Sequence, residues 1–134
     1  MKQTLLDLIW SRADRQCEYC HFSEDFAWLP FQVDHIIAEK PGGPTTEDNL
    51  ALSCFYCNSF KGPNISGIDP QGDPVVAVQL FHPRKNVWIE HFIWDEPYLT
   101  GLTPTGRATI AVLRINEPNA VELRCLILNL REIL

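Results

Sequence analysis

The feature that most limits how this chain can fold is a pair of Cys-x-x-Cys turns, Cys17 with Cys20 and Cys54 with Cys57. Each turn of this spacing points two sulfurs at one spot, and two turns together supply the four thiolates of a tetrahedral zinc site. The competing readings are weaker. A disulfide framework belongs mainly to secreted chains, and a thioredoxin-like redox motif needs one pair beside a strand-helix unit. Cys17, Cys20, Cys54 and Cys57 are therefore expected to hold one structural Zn²⁺. The fifth cysteine, Cys125, stands alone in an apolar stretch and reads as a small core residue.

With 134 residues and 46% hydrophobic content, the chain can bury a core without disulfides, so one domain spanning 1–134 is expected. The N-terminal apolar patch LLDLIW is short and interrupted by Asp7, which argues against a signal peptide or membrane span and for a cytoplasmic protein. The net charge of −6 weighs against broad phosphate binding, because counterion release depends on Lys and Arg. A local basic face would offset it, but the sequence contains no basic run.

Residues from about Thr4 to Ala13 carry Leu5, Leu8, Ile9 and Trp10 at helical spacing. FQVDHII (31–37) combines aromatic and β-branched residues and reads as a strand, EKPGGPTTEDN (39–49) as a loop, and LALSC (50–54) as a second strand pairing antiparallel with the first. CFYCNSFKG then reads as a metal turn entering a brief helix stopped by Gly62 and Pro63. Beyond it, NISGIDPQGDP is rich in turn formers. VVAVQLF (75–81) and VWIEHFIW (87–94) read as two strands about the turn HPRKN, extending the sheet or forming a second hairpin. LTPTGRATIAVLRI reads as a helix capped by Thr103 with Pro104 in its first turn, and a last amphipathic helix runs from about Ala120 to the end. No repeats or low-complexity tracts occur.

Between and beside the cysteine pairs lie Asp34 and His35 at a strand end, Asn49 at the end of the loop, and Asn58 directly after Cys57. On these residues the stretch VDHIIAEKPGGPTTEDNLALSCFYCNSFKG resembles the HNH endonuclease motif, with His35, Asn49 and Asn58 in its three named positions. LFHPRKNVWIEHF and LTPTGRATI resemble the tails of small stand-alone bacterial members. The resemblance covers about residues 17–62 and implies an α+β chain built on a ββα-metal (His-Me finger) core with a four-cysteine zinc site. Additional strands and C-terminal helices, residues 63–134, would pack on it. It further implies a metal-dependent endonuclease that hydrolyses DNA phosphodiester bonds to 5′-phosphate and 3′-hydroxyl ends, with little sequence preference.

The chemistry assigns matching roles. Phosphodiester hydrolysis needs an activated water and stabilisation of the leaving oxygen. Histidine is mostly neutral near pH 7, so His35 is the expected general base. A hard cation such as Mg²⁺ or Mn²⁺ takes oxygen ligands, which Asp34 and Asn58 would supply. Neighbours on a regular strand face opposite ways, so Asp34 and His35 can share a site only if the strand bends or ends there. Following the family, Asn49 is structural and holds the loop that carries His35.

Lys61 and Arg84 are the first candidates for phosphate contacts, with Lys40, Lys85 and Arg107 behind them. His91 reads as a structural histidine, His21 and His82 carry no signal, and Trp28, Trp88 and Trp94 read as core or interface residues. The rival function is a catalytically inactive, zinc-stabilised module that binds nucleic acid or protein. A protein partner or a homodimer is open on sequence alone.

Overall fold

A computed structural model of the chain describes residues 1–133. The first helix, α1 (Gln3–Ala13), places Ile9 and Ala13 four residues apart on one face, and both are buried. It ends where Asp14 takes a left-handed conformation, φ 52°, a geometry that Asp tolerates better than most residues. The buried face packs on strand β2 (Leu50–Ser53), all four residues of which are buried. Strand β1 (Gln32–His35) pairs antiparallel with β2, His35 opposite Leu50 and Gln32 opposite Ser53. Helix α2 (Phe55–Lys61) follows at once and packs against β1. Strand, strand and helix thus form in the order the sequence leads one to expect.

The outer edge of β2 is not left open. Glu18, from inside the first cysteine turn, donates its N–H to the Leu52 carbonyl at 2.9 Å and accepts the Leu52 N–H on Oε2 at 2.8 Å. Arg12 Nη2 donates to the Leu50 carbonyl next along the strand. These groups replace the missing neighbour strand, so the backbone of β2 is satisfied on both sides.

The C-terminal half departs from the expected pattern in two places. VVAVQLF forms strand only at β4 (Ala77–Gln79), whose partner is β3 (Ser66–Ile68) from the stretch read as turns. VWIEHFIW is not one strand. It forms one helical turn, α3 (Trp88–His91), and then β5 (Phe92–Asp95), which pairs with β6 (Tyr98–Gly101). Trp88 and Phe92, four residues apart, turn inward with ring centroids 5.1 Å apart, while Val87, Ile89 and Ile93 stay exposed. That is helical spacing, and packing decided it against β propensity. The two runs therefore neither pair with each other nor extend the β1–β2 sheet.

Helix α4 (Pro104–Val112) begins as expected: Thr103 caps it by accepting the Gly106 N–H, and Pro104 occupies the first turn. Helix α5 (Pro118–Ile133) completes the described chain, and Leu134, where the expected helix was to finish, lies outside the described residues. Cys125 is exposed on α5 and is not a core residue. Trp28 is 94% exposed, so it too lies outside the core. One buried cluster contains Ile9, Cys17 and Leu52 together with Phe81, Phe92 and Leu113. Burying each of its large apolar side chains contributes about 1.5–3 kcal/mol. Among the described residues, no helix is long and apolar enough to cross a membrane.

Candidate active site

The four cysteines meet. The sulfurs of Cys17, Cys20, Cys54 and Cys57 lie within 4.8 Å of one another, and all four residues are buried. Each turn is closed by a backbone N–H aimed at a sulfur, Cys20 to Cys17 at 3.5 Å and Cys57 to Cys54 at 3.4 Å. The latter bond makes Cys54 the cap of α2. A tetrahedral donor set this close and this dry fits Zn²⁺. Burial raises the Cys17 thiol, but hydrogen bonds from the other three thiols outweigh it and hold Cys17 well below its ordinary value. Hydrogen bonds involving Cys17 and Cys54 push Cys20 well up, and burial adds to them. Bonds with Cys17, Cys20 and Cys54, again with burial, do the same for Cys57. Four thiolates cannot ionise side by side without a cation to neutralise them.

Asn49 controls the loop between β1 and β2. It is 5% exposed, accepts the Ile37 N–H on Oδ1 at 3.0 Å, and donates Nδ2 to the carbonyls of Ile37 and Pro44, both at 2.9 Å. The Asn49 carbonyl also accepts the Ile36 N–H at 2.8 Å. The loop folds so tightly on itself that a Cβ on Gly43 would lie 1.7 Å from the Ile37 carbonyl oxygen. Only glycine fits there.

β1 ends at His35. The His35 ring places Nε2 2.9 Å from the Thr45 hydroxyl and 3.5 Å from Glu39 Oε1. Thr45 can donate or accept, so it suits either ring tautomer. Neither Thr45 nor Glu39 stood out in the sequence, since Thr and Glu are ordinary loop residues.

Asp34 faces α2. Its Oδ2 lies 3.4 Å from Lys61 Nζ, within ion-pairing range, yet this buried oxygen accepts no hydrogen bond. Burial raises the Asp34 carboxyl, and Lys61 and His35 offset part of that rise. Asn58 is half-buried on α2, one turn before Lys61. Residues three apart share a helix face, so Asn58 stands beside the side chain that reaches Asp34. A carboxylate with an unpartnered oxygen and a nearby amide form an oxygen donor set that fits a hard divalent cation.

The two residues expected to contact phosphate are both engaged within the protein. Lys61 is 1% exposed and spends its ammonium on the Ile36 carbonyl at 3.0 Å and on Asp34. Arg84 pairs with Glu18, and burial followed by repulsion from Arg12 lowers it to about 10. Neither presents a free charge to a phosphate. Arg107 is likewise engaged, by both carboxylate oxygens of Asp69 at 2.9 Å. Lys40 and Lys85 stay exposed and unpaired among the described residues.

His82 is buried with Nδ1 accepting the Arg84 N–H at 3.2 Å, and His91 Nδ1 lies 2.6 Å from the Thr103 hydroxyl. His21 stacks on Trp88 with centroids 3.8 Å apart. A cavity of about 400 Å³ between the cysteine cluster and α5, bordered by Phe60, Trp94, Leu113 and Ile127, includes none of Asp34, His35 and Asn49.

Residues 17–64 match the family model described as HNH endonuclease. No curated protein and no solved structure matches the chain significantly. The hairpin, its helix and the four converging thiols all fall within the matched segment. The chain thus carries an HNH endonuclease domain over residues 17–64, and with it a nuclease-like or nucleic-acid-binding role.

Proposed function

We propose that the domain is a metal-dependent endonuclease that hydrolyses DNA phosphodiester bonds. The observation that carries this reading is the ion pair of Asp34, directly before His35 on β1, with Lys61 of α2, the helix that also bears Asn58. A binding module has no chemical use for a carboxylate and an imidazole at one strand end with an amide on the helix packed against it.

In this reading His35 is the general base. A water displaces the Thr45 hydroxyl at Nε2 and gives its proton to the ring as its oxygen attacks phosphorus. The P–O3′ bond breaks, leaving a 5′-phosphate, and the departing oxygen takes a proton from solvent. Asp34 and Asn58 would hold Mg²⁺ or Mn²⁺, which when bound would offset the charge on the phosphate and the leaving oxygen. Asn49 fixes the loop so that the His35 ring stays in place, and the zinc cluster anchors both ends of the hairpin. A single domain over 1–134, with 63–134 packed on the nuclease core, completes the proposal.

The test is nicking of supercoiled plasmid in Mg²⁺ or Mn²⁺. Nicking by the parent and not by His35→Ala supports the enzyme. Equal nicking by both points to contamination. No nicking by either, across several cations and both DNA and RNA, favours the inactive binding module.

A further inference from the structure

We infer that Lys61 is a positioning residue of the cation site, an inference that rests on the nuclease reading above. Lys61 is among the most deeply buried large side chains of the molecule, an uncommon place for an ammonium. Its ammonium engages consecutive points of one chain segment: it donates to the Ile36 carbonyl at 3.0 Å and the His35 carbonyl at 3.5 Å, and it stands 3.4 Å from the Asp34 carboxylate as an ion pair. Asn49 holds the same segment from the other side through the N–H groups of Ile36 and Ile37. The strand end is therefore clamped between a cationic donor and an amide.

This clamp answers a geometrical difficulty. Asp34 and His35 are neighbours, and regular β structure would send them to opposite faces. The chain leaves β geometry after His35, and the carbonyls exposed by that departure are the ones Lys61 takes up. Lys61 also faces Oδ2 of Asp34, the buried oxygen that accepts no hydrogen bond, so rotation of the carboxylate is restrained. A residue behind a ligand that orients it in this way typically governs metal affinity by 10- to 100-fold. Asn58 and Lys61, one helical turn apart, then serve the same site in different ways: one touches the cation and the other holds its carboxylate.

The sign of the effect makes the test sharp. Removing an ammonium near a cation site removes repulsion, which alone would tighten binding. Loss of positioning loosens it. Binding of Mn²⁺ to the zinc-loaded protein, without DNA, is read from the electron paramagnetic resonance of free Mn²⁺ for the parent, Asn58→Ala, Lys61→Met and Lys61→Gln. Melting temperature and zinc content serve as checks of folding. The expected result is Mn²⁺ affinity about tenfold weaker in Lys61→Met, with partial recovery in Lys61→Gln, which keeps a donor for the Ile36 carbonyl. Unchanged or tighter binding in a folded Lys61→Met overturns the inference, as does failure of both Lys61 variants to fold, which would make Lys61 a core residue only. Should Lys61→Met alone fail to fold, Lys61→Gln decides by the same measure: weaker binding than the parent supports the inference and parental affinity overturns it. If the parent binds no Mn²⁺, or Asn58→Ala binds it as the parent does, the cation site itself fails and the Lys61 inference falls with it.

Discussion

Replacing Asn49 with alanine removes three hydrogen bonds, to the N–H and carbonyl of Ile37 and to the Pro44 carbonyl. Each contributes about 1 kcal/mol net, so the loss is about 3 kcal/mol if no water enters to replace them. For a chain of this size that corresponds to a fall in melting temperature of about 10 °C. Thermal unfolding followed by circular dichroism measures it, with plasmid nicking assayed well below the transition. Nicking should fall more than stability does, because the loop released is the one that carries Thr45 beside His35. Asn49→Asp sharpens the case. It keeps the acceptor for Ile37 N–H but turns the donor that served two carbonyls into a second acceptor, so at neutral pH it should be at least as damaging as alanine. Acidification should partly restore it, since a protonated carboxyl can donate again. A drop under about 2 °C in Asn49→Ala with parental nicking, or an aspartate variant as stable as the parent at neutral pH, would refute the reasoning.

Three other expectations follow from the geometry. Native protein should show one fast-reacting thiol, the exposed Cys125, with Cys17, Cys20, Cys54 and Cys57 reacting only after chelation or denaturation; a thiol-reagent time course with and without chelator checks this. Burial lowers His82 below its usual value, with Lys85 adding to the effect. The folded form therefore resists a proton that the unfolded form takes up near pH 6.5. Stability should be full above that pH and decline as pH falls below it, and His82→Gln should flatten this part of a pH series of melting curves, an unchanged slope counting against it. Finally, Lys2, Lys40, Lys85 and Arg114 are exposed cations without an ion pair among the described residues, whereas Arg15, Arg84 and Arg107 are paired and Arg12 and Arg124 donate to backbone carbonyls. With about four free phosphate contacts, the logarithm of DNA affinity should fall against the logarithm of salt with a slope no steeper than about −4 in equilibrium binding.

The parts of the fold that the sequence revealed are those imposed by local chemistry. Cysteine spacing marked the zinc cluster, turn residues marked the long loop, and Thr103 with Pro104 marked the start of α4. Where long-range packing decided, the sequence was silent or misleading. Residues 87–94 are as β-prone as a strand, yet the pocket that takes Trp88 and Phe92 imposes a helical turn. Ser66–Ile68 gains its strand only because β4 lies beside it. At the site, residue types pointed to Asp34, His35, Asn49 and Asn58, but no periodicity could show that Lys61 turns inward. A lysine at the last position of a short helix, directly before a glycine stop, reads as surface until the carbonyls it reaches are known.

Glu18 lies between two expected zinc ligands and at the same time covers the free edge of β2 and pairs with Arg84. Loss of the metal would therefore do more than loosen a turn. It would uncover the backbone of a fully buried apolar strand, LALS, whose N–H and C=O groups would then face solvent or a neighbour. Metal-starved protein should accumulate as edge-paired aggregates rather than as soluble unfolded chain, so that zinc supply would govern the yield of the protein before it governs its activity.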